Sequence, residues 1–368
     1  MRVYHYLELE SALERSGIGT AADHQRLAVE RANGDGIHAS ADVTDDTDDT
    51  DVELVTSPCD GRPWQIPARL ARRTDPFVAY DVAHCNGIGP GSLALAGHAR
   101  RTGRPLVLHA HVTREDFAES FRGSTLAAGP LGRYLRWFYS QADLVCCPSE
   151  YTKRVLESYP IDAPIETITN GVDLPSLEGF EAFRAPVREH YDLEGMVVFA
   201  VGNVFERKGV TTFCRLAQQT EFDFAWFGPY DRGPHASSTV RTWTKNPPEN
   251  VTFTGWIDDK RGAFAAGDVF CFPTKVENQG ISVLEAMACE KAVVLRDIPV
   301  FEEFYTDGVD CLKCSTLSEF RDALERLADD PALRRRLGER ARETAEEHRL
   351  EVVGERLHEV YRRVRAKT

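Results

Sequence analysis

The segment FPTKVENQGISVLEAMA (272–288) holds two carboxylates eight residues apart, Glu277 and Glu285. It reads as the end of a buried strand, a short polar loop and the start of an apolar helix. Glu277 falls in the loop and Glu285 about one and a half turns into the helix. Helical side chains lean toward the N-terminus, so Glu285 is expected to point back toward Glu277, and both to approach one ligand. Asn278, Gln279 and Gly280 lead into the helix at Ile281, where free N–H groups suit an anion such as a phosphate. A surface loop followed by a solvent-facing glutamate would explain the spacing alone. It would not explain strand, polar loop, glycine and apolar helix in one register.

A second segment, VGNVFERKGV (201–210), ends a strand at Gly202, turns through Asn203, and opens a helix at Arg207-Lys208-Gly209. Adjacent cations there suit a diphosphate, Arg207 binding two oxygens and Lys208 acting as a point charge. Fixed cations at a departing phosphate stabilise its growing charge without a metal. In HAHVTRED (109–116), His109 and His111 would point to opposite faces of a persisting strand. His111, nearer the loop, is the preferred ligand contact and His109 the core or supporting ring. No further ligand lies at metal-binding spacing. Gly17 and Gly19 follow the first strand, either letting backbone approach a sugar or acceptor, or forming a plain tight turn.

These residues need a scaffold, and the chain supplies an alternation of strands and helices. Strands are predicted at 2–7, 52–57, 78–85, 104–111 and 142–149, then at 196–204, 222–228, 250–256, 268–274 and 291–297. Helical patterns lie between many of them, which implies βαβ units and parallel sheets. The 368 residues exceed one ordinary core. The punctuated stretch 168–186 suggests where to divide them. The expected α/β architecture is two Rossmann-like, doubly wound domains facing a central cleft. An acceptor-binding domain spans 1–180, a nucleotide-sugar domain 181–345, and a C-terminal helix over 346–368 packs back on the first.

Together the segments resemble the family-4 retaining glycosyltransferases, whose fold is called GT-B. The resemblance implies that Lys208 binds the donor diphosphate, Glu285 holds the ribose hydroxyls, and Glu277 faces the donor sugar with amides near Gly280 and Ile281. It also implies that one histidine of the pair contacts that sugar. Asn203 stands where the family usually has arginine, so Arg207 is assigned as the second cation. Within the family the chain is most similar to the diacylglycerol glucosyltransferases, through RKG, FAWFG, ENQGISVLEAMA and VVLRDIPVFEEF. SGIGTAADHQ, HAHVTREDFAESFRGS, PSEYTKRVL and ITNGVDL match that subgroup in order and spacing. The resemblance implies a hexosyltransferase that moves glucose from UDP-glucose to a membrane lipid hydroxyl, with no cofactor and no metal. Other readings are transfer to a polyprenyl-linked glycan or surface polysaccharide, a non-catalytic sugar- or lipid-binding protein, and a sugar-nucleotide epimerase.

The net charge is −14, and of 44 basic residues only 8 are lysine. Such acidity, spread along the chain, argues against nucleic acid as a partner. It fits a salt-rich cytoplasm of the kind found in halophilic archaea. VTDDTDDTDV (43–52) reads as a solvated loop. The start, MRVYHYLELESALER, scatters charge where a signal peptide would be apolar, so a cytoplasmic protein is expected. Cys311 and Cys314 form the only C-x-x-C, with no second pair for zinc. Residues 114–141 interleave Phe117, Phe121, Leu126, Leu131, Tyr134, Leu135, Trp137 and Phe138 with Arg114, Arg122, Arg133 and Arg136. That pattern suits an interfacial helix on the inner face of the cell membrane, with Trp137, Phe138, Arg133 and Arg136 in contact, or a core-facing helix with solvated arginines.

Overall fold

The computed structural model describes residues 1–8, 10–13, 15–35, 51–56, 64–72, 76–117, 123–233 and 236–367. Most of the acidic loop at 43–52 therefore lies outside the described residues. The chain divides into two compact units. The first comprises Met1–Thr113, Pro130–Gly171 and Leu350–Thr368; the second comprises Arg114–Gly129 and Val172–Arg349. The division thus falls after Gly171 rather than after residue 180, and the 114–129 segment counts with the second unit.

The first unit is built on a six-stranded parallel sheet: β1 (Arg2–Tyr6), β2 (Glu53–Val55), β3 (Val82–Cys85), β4 (Leu106–His109), β5 (Leu144–Cys147) and β6 (Ile165–Thr167), in the order β2-β1-β3-β4-β5-β6. Strands such as LVLH and LVCC are buried throughout, as a sheet covered on both faces requires. Side chains alternate between faces. Tyr4, Tyr6, Ala83, Cys85, Leu106 and Leu108 join one core with Leu95, Leu135 and Phe138. Val3, Val82, Val107 and Leu144 join the other with Val353, Leu357 and Tyr361. His5, His84 and His109, two residues from those valines, fall on the second face. Helix Leu350–Arg365 packs there against helix Gly17–Asp35. Gly354 makes the approach close, because a Cβ at that position would run into the Ala28 carbonyl.

The second unit repeats the plan with β7 (Val197–Val201), β8 (Asp223–Phe227), β9 (Val251–Gly255), β10 (Val269–Phe272), β11 (Ala292–Arg296) and β12 (Leu312–Cys314), ordered β12-β11-β10-β7-β8-β9. All the pairings within it are parallel. Its core gathers Val198, Phe213, Phe224, Trp226, Cys271, Val294 and Leu324, all but fully buried. The Arg- and Glu-rich C-terminal stretch breaks twice, giving helices Leu317–Asp329, Pro331–Glu347 and Leu350–Arg365. The described cysteines are free and buried, Cys311 and Cys314 included.

Candidate functional site

In the second sheet β7 lies between β8 and β10, so the chain leaves it in opposite directions on its two sides. At such a switch point the loops beyond the strand ends part and leave room for a ligand. The loop after β7 carries Gly202 to Lys208, and the loop after β10 carries Pro273 to Gly280. Backbone bonds stitch the two together. Lys275 N donates to Arg207 O at 2.7 Å, and the Thr274 side chain adds a second link, Oγ1 donating to Arg207 O at 3.3 Å. Gly209 holds φ at +83°, and a Cβ there would run into the Pro273 carbonyl, so only glycine fits behind Lys208. Gly202 sits at φ +127°, its carbonyl bonded by Trp226 Nε1 at 2.8 Å. Asn203, beside it, is partly exposed.

Arg207 and Lys208 of the β7 loop, and Lys260 outside it, each rest on a carboxylate. Lys208 Nζ forms an ion pair with Glu277 Oε2 and lies 4.9 Å from the centre of the Phe272 ring. Arg207 pairs with Asp116 Oδ1 at 2.9 Å and donates to Val276 O at 3.3 Å. Lys260 Nζ meets Glu285 Oε1 at 2.7 Å. Glu277, Glu285 and Arg207 are buried. Burial pushes the Glu277 carboxyl up, but Lys208 and Arg207 outweigh it and hold the group below its usual range. Burial pushes Asp116 up, and there Arg207 only partly offsets it. Burial would lower the Lys260 ammonium, yet Glu285 leaves it raised. Gly280, at φ +89°, opens helix Ile281–Ala288 with no side-chain cap, and Gln279 is buried beside it. The arrangement offers cations and helix N–H groups to phosphate, with carboxylates placed to accept from hydroxyls. Sequence reasoning missed Asp116 and Lys260. Nothing in the run Arg114-Glu115-Asp116 marks one acid, and Lys260 sits between charged neighbours in DDKR.

The first sheet has its own switch point at β1, between β2 and β3. His5 and His84 are direct partners across β1 and β3. Around them runs a polar chain: Gln25 meets His5 Nε2 and His109 Nδ1 at 3.0 Å each, and Asn86 meets His5 at 2.9 Å and His111 Nε2 at 2.7 Å. His84 Nδ1 lies 2.6 Å from the Tyr361 hydroxyl. His109 and His111 do not face opposite ways. β4 ends at His109, and a tight turn with His111 N bonded to His109 O at 3.1 Å brings both rings to one side, stacked 4.5 Å apart. His109 is buried and His111 partly exposed. Burial drives every ring of the cluster toward the neutral form, His5 to about 4 and His111 to about 3. Stacked rings do not converge their lone pairs, and among the described residues no group of three or more His, Cys, Asp or Glu is placed to hold a metal ion.

Gly17 and Gly19 do not form a tight turn. They begin helix Gly17–Asp35, where Ser16 Oγ accepts from Gly19 N at 3.2 Å. Phe138, expected at a membrane, is fully buried and stacked on Tyr134 at 5.8 Å. Helical spacing from Leu135 turns it into the core, while Trp137 stays 54% exposed and Arg133 and Arg136 are exposed. Phe121 and Arg122 lie outside the described residues. No helix among the described residues is long and apolar enough to cross a membrane.

Two doubly wound parallel sheets in one chain, the second with cations and carboxylates at its switch point, are the architecture of the GT-B fold. The chain belongs to glycosyltransferase family 4: the model described as Glycosyltransferase Family 4 matches residues 33–175, and that of Glycosyl transferases group 1 matches 195–330. It is 30% identical over 370 residues to the processive diacylglycerol alpha-glucosyltransferase of Acholeplasma laidlawii, covering 99% of this chain and 98% of that one. It is 29% identical to the alpha-galactosylglucosyldiacylglycerol synthase of Streptococcus pneumoniae, over 42% of this chain and 44% of that one. Among solved structures, sucrose-phosphate synthase from Thermosynechococcus elongatus shares the fold at TM-score 0.76 and 16% identity, over the whole of both chains. Anabaena HepE in complex with UDP-glucose does so at 0.67 and 17%, over 84% and 85%.

Proposed function

We propose that this enzyme transfers glucose from UDP-glucose to a hydroxyl of a membrane lipid, with retention at the anomeric carbon, in glycolipid synthesis. The observation that carries the reading is the pairing of Lys208 with Glu277 at the β7/β10 switch point, beside the uncapped start of helix Ile281–Ala288. The full-length likeness to a diacylglycerol alpha-glucosyltransferase supports the lipid acceptor and the α product, which from an α-linked donor means retention. Arg207 and Lys208 take the diphosphate near Gly202 and Asn203, Glu285 takes the ribose hydroxyls, and Glu277 with the amides around Gly280 and Ile281 takes the sugar. His111, the partly exposed ring of its cluster, is assigned to meet a sugar. The acceptor oxygen attacks the anomeric carbon from the face the phosphate leaves, and the acceptor proton passes to the leaving phosphate oxygen. The cations carry the developing charge, so turnover is expected to survive chelation of metals. The Lys-poor acidic composition supports a salt-rich cytoplasm as the setting, with the enzyme peripheral on the membrane's inner face.

The test is UDP release from UDP-glucose with and without dispersed diacylglycerol. Release is expected only with lipid, and Glu277→Ala is expected to lower it roughly a hundredfold or more. Full turnover in Glu277→Ala would defeat the site assignment. Lipid-independent release would defeat the acceptor.

A further inference from the structure

Three cations of the second unit each rest on a carboxylate, and the donor reading gives two of those acids work to do. Glu277 and Glu285 can accept from sugar and ribose hydroxyls. Asp116 has no such assignment, and it reaches the site from the short helix Arg114–Phe117, far in sequence from Arg207. The two side chains of that pair are only 16% and 11% exposed. Phe205 lies 5.7 Å from the guanidinium carbon and the Val276 carbonyl accepts from it, so Arg207 is held on several sides. A carboxylate and a phosphate present the same kind of oxygen to a guanidinium. Even where both find N–H groups on one arginine, two anions this close in a buried setting repel.

We infer that Asp116 is a positioning residue that aims Arg207 and balances its charge before the donor arrives, then yields the guanidinium to the donor diphosphate. The inference rests on the donor reading given above. It has a signature that a purely structural acid lacks. Removing the charge of Asp116 removes a competitor, so a diphosphate binds more tightly; Arg207 is then less well aimed, so turnover falls. A structural acid, once lost, would weaken both.

The experiment is calorimetric titration of the full chain with UDP, uridine and inorganic pyrophosphate at fixed salt, using wild type, Asp116→Asn, Asp116→Ser and Asp116→Glu. In both neutral variants the UDP dissociation constant is expected to fall roughly tenfold, about 1.4 kcal/mol, while kcat also falls. Uridine binding is expected to stay unchanged, and Asp116→Glu to stay near wild type. Unchanged or weaker UDP binding in the neutral variants, or an equal gain for uridine, would overturn the inference. If wild type binds no UDP, the donor reading fails and pyrophosphate decides. Tightening in the neutral variants then sustains the role of Asp116, and its absence overturns it. Failure of both neutral variants to fold, read by circular dichroism, also overturns it, since the pair would then be structural.

Discussion

Four histidine rings, those of His5, His84, His109 and His111, lie together at the carboxyl ends of β1, β3 and β4, and their burial has a measurable consequence. In the folded state they stay neutral well below the ordinary histidine value of ~6.5, His5 down to about 4. The unfolded chain takes up protons first as the pH drops, so stability present above ~6.5 is lost on the way down to the folded value. For His5 alone the full loss is roughly 3 kcal/mol. Urea midpoints measured from pH 7 to pH 4 are expected to fall, and His5→Gln to flatten the fall; a flat wild-type profile would contradict this. At this scale the site is unevenly legible in sequence. Glu277, Glu285 and Lys208 stand out because loop, glycine and helix fix their register. Asp116 and Lys260 do not, because ion pairs between distant segments leave no spacing to read. The stacking of His109 on His111 is hidden for a different reason: it depends on where β4 stops, and an apolar run does not announce its last residue.

Gly209 illustrates what single positions within an element control. Its left-handed backbone and its contact with the Pro273 carbonyl set the exit of Lys208 from the β7 loop. Gly209→Ala combines strain with a backbone clash, and is expected to cost about 1–3 kcal/mol in urea unfolding and to lower UDP-glucose turnover. Unchanged turnover would show that Lys208 does not depend on that turn. The strands themselves are legible where they run apolar for four or five residues, as in VVFAV and AVVLR. β6 and β12 are not, for IET and LKC are three-residue edge strands carrying polar residues, and pairing rather than pattern defines them. Helix Gly17–Asp35 likewise hides its start, because glycine is a poor helix former and Ser16 supplies the cap.

For the whole molecule the governing quantities are a net charge of −14 and the surface left exposed. At 1 M salt the screening length is ~3 Å, which nearly extinguishes basic attraction to lipid headgroups. In flotation with lipid vesicles at that salt, Trp137→Ala is expected to reduce the bound fraction, and Arg133→Ala with Arg136→Ala to change it little; the reverse order would contradict the membrane assignment. Phe138→Ala is expected instead to cost about 3–5 kcal/mol of stability, because its ring fills the core. The two-unit architecture is legible from the alternation of strands and helices, whereas the membership of residues 114–129 in the second unit is not, since it follows from contacts distant in sequence. The central claim is retaining glucosyl transfer to lipid, and the anomeric proton of the product reports on it directly. Purified enzyme, UDP-glucose and diacylglycerol are expected to yield a glucosyl lipid whose anomeric coupling in proton NMR is that of the α linkage. A β-linked product, or glucose released to water with no lipid product, would contradict the account.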